Sequence, residues 1–128
     1  MLVVDASFVV AACLATDGFA KFAREDLAAP PLLWPECRSV LHRMAWLGEI
    51  APAAGIRANE RLDNSPVTSR NPRQLGSEAW RLADELGWAK TFDAEYLAVA
   101  RLSHARLLTL DRRMLGAAER LGIETAEL

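Results

Sequence analysis

Four carboxylates in the sequence stand where an apolar or extended run gives way to a predicted helix. In an open sheet of parallel strands, ligands bind in the crevice beyond the carboxyl ends of the strands. Acids at these junctions are therefore expected to meet at one edge of the sheet. The four are Asp5 after LVV (2–4), Glu36 after an extended run at 32–34, Asp93 after the connection at 87–92, and Asp111 after RLLTL (106–110).

Each acid also has a simpler interpretation at the start of a helix. An aspartate there accepts hydrogen bonds from free backbone N–H groups, and a glutamate in the first turn suits the helix dipole. Capping explains each position singly but does not explain why four separate units place an acid at the same edge. Four neighbouring carboxylates cannot all stay ionised without compensation. A hard divalent cation such as Mg²⁺ supplies it and can also orient phosphate and activate water. The predicted chemistry is phosphodiester hydrolysis.

Two hydroxyls accompany the first and last acids. Ser7 and Thr109 each lie two residues from an acid, and in an extended segment that spacing places both side chains on one side. Such a hydroxyl can orient a metal-bound water or contact a phosphate. Local capping of a helix start is the alternative explanation for both residues.

Composition narrows the class of protein. The chain has 128 residues, of which 52% are hydrophobic and 25% charged, and its net charge of −2 argues against binding by bulk positive charge. The sequence lacks the basic region of a signal peptide, so we expect a soluble, cytoplasmic protein.

Cys13 and Cys37 form no CxxC pair and are interpreted as buried, reduced thiols. A zinc site of Cys37, His42 and His104 is the alternative, although the spacing matches no standard motif.

Strands alternate with helices along the chain. This pattern predicts an α/β fold, a single domain over 1–128 with a mainly parallel sheet and helices on both faces. The predicted strands are 2–4, 32–34, a short one at Val67, 106–110 and a last one within IETAEL (123–128). The predicted helices are 6–14, 17–28, 36–50, 52–64, 75–87, 93–105 and 111–122.

The motifs, in this order, resemble a PIN-domain ribonuclease, specifically a VapC-type toxin of a toxin–antitoxin pair. The matching pieces are VVDAS (3–7), PEC followed by VLHR (35–43), FDAEYLAVA (92–100) and LLTLDRRML (107–115). The resemblance implies that Asp5, Glu36, Asp93 and Asp111 form the family's acidic quartet. In that family the quartet binds Mg²⁺ or Mn²⁺ and cleaves single-stranded or structured RNA, which leaves tRNA, rRNA and mRNA open as targets. Ser7 and Thr109 match the polar positions beside the first and last acids.

Other positions are less specific to the family. Tyr96 matches an aromatic position after the third acid, where core packing is the alternative. The sequence departs from the expected pattern at Cys37, Arg38 and Ser39, where a more apolar helix start is expected. Four arginines are candidate contacts to RNA phosphates, and four tryptophans are interpreted mainly as core or interface anchors. These are Arg70, Arg73, Arg112 and Arg113, and Trp34, Trp46, Trp80 and Trp88.

The resemblance also implies partners. Toxins of this type are homodimers inhibited by a small VapB-like antitoxin, which binds operator DNA in their place, so we expect no direct DNA binding and no membrane. Two rival functions stay open. A phosphatase of the haloacid-dehalogenase type needs a second aspartate where this chain has Ser7. A catalytically silent partner would use its acids only to receive an antitoxin arginine.

Overall fold

The fold is built on a four-stranded sheet, which a computed structural model of all 128 residues shows to be entirely parallel. The strands β1 (Leu2–Val4), β2 (Leu27–Ala29), β3 (Val67–Ser69) and β4 (Arg106–Leu108) lie in the order β3–β2–β1–β4. Every residue of β1 and β2 is buried. Since successive residues of a strand point to opposite faces, the sheet is covered on both faces. The predicted α/β class is confirmed.

The path of the chain creates a switch point beside β1. The chain runs outward from β1 to β2 and β3, then returns to place β4 on the other side of β1. At such a point the helices that follow neighbouring strands leave on opposite faces and open a crevice at the carboxyl edge. Asp5 follows β1 directly, and Asp111 follows β4 within three residues. Two of the four acids are therefore at the mouth of this crevice.

The helices divide into two groups that match this path. Helices α1, α2 and α3 pack on one another, whereas α4 packs on α5, and α5 contacts β1 and β4. Right-handed crossovers place these two groups on opposite faces of the sheet. The helices are α1 (Ala6–Leu14), α2 (Leu33–Trp46), α3 (Pro52–Asp63), α4 (Leu75–Leu86), α5 (Phe92–Leu102) and α6 (Arg112–Leu121).

The structure corrects two predictions in the first third of the chain. The predicted helix over 17–28 is wrong, because only a 3₁₀ turn at Ala20–Phe22 forms before the chain enters β2. The predicted strand at 32–34 is also wrong, since the strand lies at 27–29 and α2 already begins at Leu33. Pro30 and Pro31 have no N–H to continue a sheet ladder, whereas Pro35 is tolerated in the first turn of α2.

Most other predicted elements are confirmed with shifted ends. The strand at 106–110 ends at Leu108, and the helix at 93–105 spans Phe92–Leu102. The predicted C-terminal strand is reduced to a single bridge between Leu107 and Thr125. A cluster of 32 buried residues forms one hydrophobic core. None of the helices has the length and apolarity that crossing a membrane requires.

Candidate active site

Asp5 is held at the switch point by a network that joins β1 to β4. Its Oδ1 accepts hydrogen bonds from Ser7 Oγ (2.7 Å) and from the backbone N–H of Phe8 (3.2 Å). Its Oδ2 accepts a hydrogen bond from Thr109 Oγ1. Asp5 is only 4% exposed and Thr109 3% exposed. The aspartate therefore caps α1 and is also fixed across the crevice by the far strand.

The same hydroxyls bind the backbone that leads into Asp111. The N–H of Leu110 donates to Ser7 Oγ (3.0 Å), and the N–H of Asp111 donates to Thr109 Oγ1 (3.0 Å). The two hydroxyl oxygens lie 3.2 Å apart. Asp111 in turn caps α6, because its Oδ1 accepts from the N–H of Arg113 (2.8 Å). The structure thus places both predicted hydroxyls between the first and last acids.

Glu36 lies in the first turn of α2 and is held from the opposite group of helices. The hydroxyl of Tyr96, on α5, donates a 2.9 Å hydrogen bond to Glu36 Oε1. Tyr96 itself is fully buried. Its ring therefore packs in the core, as one interpretation holds, while its hydroxyl reaches the acidic cluster. The departure from the family pattern after Glu36 does not remove this acid from the site, although the strand preceding it is β2 and not 32–34.

Asp93 lies in the first turn of α5 and is paired with the only cation that contacts the quartet. Arg113 Nη1 lies 3.3 Å from Asp93 Oδ2. The guanidinium of Arg113 also covers the Trp88 ring, with its Cζ 4.2 Å from the ring centroid. Both members of the pair are partly exposed, so the pair contributes little to stability. Its main effect is to place one positive charge at the rim of the cluster.

Burial and mutual repulsion raise the pKa values of the acids above their ordinary values. Burial raises the pKa of Asp5 above 3.8; the hydrogen bonds that Asp5 accepts lower it in part, and the charge of Asp111 raises it further. Burial is also the largest cause of the raised pKa of Glu36, to which the charges of Asp93, Asp5 and Glu95 add. The charges of these acids therefore interact across the starts of four helices, α1, α2, α5 and α6, as a single cluster.

Two further groups complete this electrostatic pattern. The pKa of Asp93 is raised by burial, lowered by the charge of Arg113 and raised again by Asp111. The pKa of Glu95 is also raised by burial. Glu95 is not among the predicted site residues, because FDAEYLAVA offers two acids on one helix turn and the sequence does not show how near either comes to Glu36. Its position within this motif is the signal that could have found it.

Known proteins match this chain in sequence over most of its length. The PIN domain model matches residues 2–120. The chain belongs to the PIN-domain family. It is 34% identical over 116 residues to Ribonuclease VapC9 of Mycobacterium tuberculosis and to a VapC ribonuclease of Mycobacterium bovis, covering 89% of this chain and 88% of each relative. The resemblance to VapC-type ribonucleases is thereby confirmed.

Two solved structures share the fold of this PIN domain. PAE2754 from Pyrobaculum aerophilum superposes with a TM-score of 0.74 at 31% identity, covering 91% of this chain and 83% of that one. VapC20 of Mycobacterium tuberculosis, described as a toxin that cleaves the sarcin-ricin loop, superposes with a TM-score of 0.66. VapC20 is 19% identical to this chain, and the match covers 91% of this chain and 95% of VapC20. At this identity the likeness supports only the shared fold.

The free oxygens of the PIN domain's acids test whether the cluster suits a divalent cation. Asp5 accepts three hydrogen bonds, which leaves one of the roughly four acceptor positions of a carboxylate. Asp93 Oδ1, Asp111 Oδ2 and Glu36 Oε2 accept none. No three His, Cys, Asp or Glu side chains already surround a common point. Because Mg²⁺ keeps several waters and uses only one or two carboxylates, this donor set fits such an ion.

Most of the remaining candidates make no contact with this cluster. Of the four predicted RNA-binding arginines only Arg113 contacts an acid; the side chains of Arg70, Arg73 and Arg112 are exposed and make no ion pair. Neither does the structure assemble the alternative zinc site. Both cysteines are buried and free, as predicted. Burial raises the pKa of Cys13 to about 11 and that of Cys37 to about 12, which keeps both thiols protonated.

Proposed function

We propose that this chain is a divalent-metal-dependent endoribonuclease and the toxin of a type II toxin–antitoxin pair, formed by one PIN domain over 1–128. The observation that carries the proposal is the hydrogen-bonded network that fixes Asp5 against β4 within a cluster of carboxylates of raised pKa. A carboxylate cluster that served only to cap helices would not need hydroxyl donors from a second strand. Membership of the PIN family, with VapC ribonucleases as relatives, supports RNA as the substrate class.

Each acid has a proposed role that follows from its surroundings. Asp5, Asp93 and Asp111 would hold Mg²⁺ or Mn²⁺, and Glu36 would complete the site or position the attacking water. When bound, the ion supplies charge stabilisation to the phosphate and lowers the pKa of water. Ser7 and Thr109 keep the Asp5 carboxylate in one orientation. Such pre-organisation counts because reacting groups must be held near their productive geometry.

The proposed partners follow from the family and from the charge of the chain. We propose a VapB-like antitoxin whose basic side chain enters the acidic cluster, since a guanidinium pairs strongly with carboxylates. The exposed apolar side chains of Leu47, directly after α2, and Ile56, on α3, offer a surface for the antitoxin or for a second copy in a homodimer. The net charge of −2 is consistent with leaving DNA binding to the antitoxin. We propose the cytoplasm as its compartment.

The proposed activity is tested by mapping new RNA ends in cells that express the chain without an antitoxin. The comparison is the Asp93→Asn variant, with Asp84→Asn on the exposed side of α4 as the matched control for the same chemical change. We expect new ends with the wild type and with Asp84→Asn, and none with Asp93→Asn. The purified protein should cut the same RNA with Mg²⁺ or Mn²⁺ and stop in EDTA.

Three results would contradict the proposal in different ways. Full cleavage by Asp93→Asn and Asp5→Asn would show that the quartet is not the catalytic site. Cleavage that persists in EDTA would remove the metal from the mechanism. A folded wild type that binds metal and yields no new ends in any RNA would instead indicate a silent binding partner.

A further inference from the structure

The four tryptophans of the chain are not equivalent in the structure. Trp34 and Trp88 pack against the hydrophobic core, and one face of Trp88 is covered by Arg113. Trp46 and Trp80 are 81% and 67% exposed. Only these two indoles are free to stack on another molecule, and they lie on different helices, α2 and α4.

Trp80 lines a groove that extends to Glu95, in the same helix turn as Asp93. The groove has a volume of about 320 Å³ and is formed by the loop at 71–73, by α4 and by the start of α5. We call it the Trp80 groove; its polar and aromatic lining consists of Asn71, Arg73, Trp80, Thr91 and Glu95. Glu95 lies in the first turn of α5, two residues after Asp93. One end of the groove therefore adjoins the proposed active site.

The chemistry of the groove is suited to a nucleotide. Arg73 is exposed and pairs with no acid of this chain, so its guanidinium is free to take a phosphate. The exposed indole of Trp80 offers a π-face, on which any base can stack. Glu95 repels phosphate and can accept a hydrogen bond from an exocyclic amino group of a base. A nucleotide in the groove would therefore place its phosphate at Arg73 and its base near Trp80 and Glu95.

The surface around Trp46 lacks these features. Trp46 lies with Arg38, His42 and Arg43 along one exposed face of α2, and no other element forms a wall there. Arg38 is already paired with Asp63 at 2.8 Å. Trp46 is therefore an exposed indole without a groove that leads to the acids, and it provides a matched control.

We propose that the Trp80 groove binds one nucleotide of single-stranded RNA next to the scissile phosphate, with its base stacked on Trp80 and its phosphate bound by Arg73. The proposal rests on the proposed ribonuclease function and deepens it, because it assigns the path by which substrate leaves the acidic cluster. It also predicts a preference for unpaired RNA, since a base within a duplex has no free face for the indole.

The test compares RNA binding by Trp80→Ala, Trp80→Phe and Trp46→Ala. The probe is a short fluorescein-labelled single-stranded RNA of mixed sequence, with Mg²⁺ present and with Asp93→Asn in every variant to prevent cleavage. We expect Trp80→Ala to raise Kd about 5- to 100-fold, as loss of one stacked base does. Trp80→Phe should retain most of the affinity, and Trp46→Ala should be unchanged. Binding should quench the fluorescence contributed by Trp80, obtained by subtracting the Trp80→Phe signal.

The phosphate contact has its own measurement. Arg73→Ala should reduce the slope of log K against log salt concentration by about 0.7, the value for one phosphate contact to a single strand. Arg43→Ala, which removes an equally exposed arginine on α2, should leave the slope unchanged. A duplex of the same sequence should bind more weakly and should not distinguish Trp80→Ala from Trp46→Ala.

The outcomes separate this inference from the function on which it rests. If the wild type cleaves RNA, and Trp80→Ala and Arg73→Ala bind it like their controls, the groove proposal is overturned and the ribonuclease stands. The groove proposal is also overturned if Trp80→Ala weakens self-association of the chain and leaves RNA binding intact. If no RNA is bound or cut by the folded protein, both proposals fail. Because Trp80 is exposed, circular dichroism should show that each variant folds.

Discussion

Replacing Thr109 with valine removes one hydroxyl and almost nothing else. Thr109 is buried, and its Oγ1 both donates to Asp5 and accepts from the N–H of Asp111 at 3.0 Å. Valine has nearly the same shape, so packing should be preserved. The substitution therefore isolates the polar link between the two strands that flank the switch point.

The expected cost follows from the two hydrogen bonds. A bond to a charged group contributes about 1.5–3 kcal/mol and a neutral one about 0.5–1.5 kcal/mol. Asp111 is only partly buried, so water can replace Thr109 as a partner for its N–H. The neutral bond is therefore taken to contribute about 0.5 kcal/mol, the low end of its range. We expect Thr109→Val to lower the free energy of unfolding by about 2–3 kcal/mol. Cleavage should fall about 10- to 100-fold, the usual effect of losing a group that orients a metal ligand.

The cost should also depend on pH in a defined direction. The bond from Thr109 lowers the pKa of Asp5, which burial holds above 3.8, so its loss raises that pKa further. A higher pKa in the folded state means that the folded variant binds protons more readily than the unfolded chain. Its stability therefore declines more steeply than that of the wild type as pH rises. The difference in stability should be larger at about pH 8 than at about pH 4, which is close to the ordinary pKa of 3.8.

Urea unfolding of Thr109→Val, Thr109→Ser and wild type at both pH values decides the matter. Thr109→Ser keeps the hydroxyl and should recover most of the stability and activity. A loss that is equal at the two pH values would indicate a packing defect and refute the electrostatic reasoning. A loss below about 0.5 kcal/mol would show that water replaces the hydroxyl at no cost.

Three more predictions concern other parts of the molecule. Tyr96→Phe removes the hydrogen-bond donor that lowers the pKa of Glu36, so the acidic limb of the pH–rate profile should move to higher pH. The value of kcat/KM should also fall at least about 10-fold. An acidic limb that does not move would contradict the role of Tyr96 in setting the pKa of Glu36. Gly18→Ala places a methyl group against the backbone of α1 and should lower the free energy of unfolding in urea by about 2–3 kcal/mol. The control Gly76→Ala meets open space and should be neutral or slightly stabilising. Equal urea midpoints for the two variants would refute the close approach of Gly18 to α1. In EDTA at about pH 7, Asp93→Asn should melt a few degrees above the wild type. The raised pKa of Asp93 means that its ionisation destabilises the fold as pH rises above 3.8, and asparagine carries no such charge. A lower melting temperature would show that the ion pair with Arg113 outweighs this effect.

Local sequence was sufficient for the strands and acids that face the crevice. LVV and RLLTL are short apolar runs followed by an acid, and both strands form beside each other with Asp5 and Asp111 beyond their ends. Strand β2 could not be found in this way. LAA has no β-branched residue, and its alanines favour helix, so its extended form comes from pairing with β1 and β3.

Contacts between distant residues account for what the sequence could not show. Tyr96 and Glu36 are separated by 60 positions, and Arg113 and Asp93 by 20. The sequence identified all four as candidates and offered no reason to pair them. The same limit applies to the tryptophans, because the exposure of Trp80 is a property of packing and all four indoles look alike in the sequence.

Capping and the proposed metal binding, which the sequence presents as alternatives for Asp5, are compatible in the structure. Oδ1 of Asp5 caps α1, while Oδ2 turns to β4 and keeps one acceptor position without a hydrogen bond. A strand that ends at the switch point and leads directly into a helix puts one carboxylate at a helix N-terminus and in the crevice at once. The cap fixes the backbone and one oxygen, so the other oxygen is directed by a single hydroxyl. A carboxylate held in this way would lose little conformational freedom on binding the proposed cation. Its three hydrogen bonds are also the reason that the apolar run at the start of the chain can carry a charge at this position.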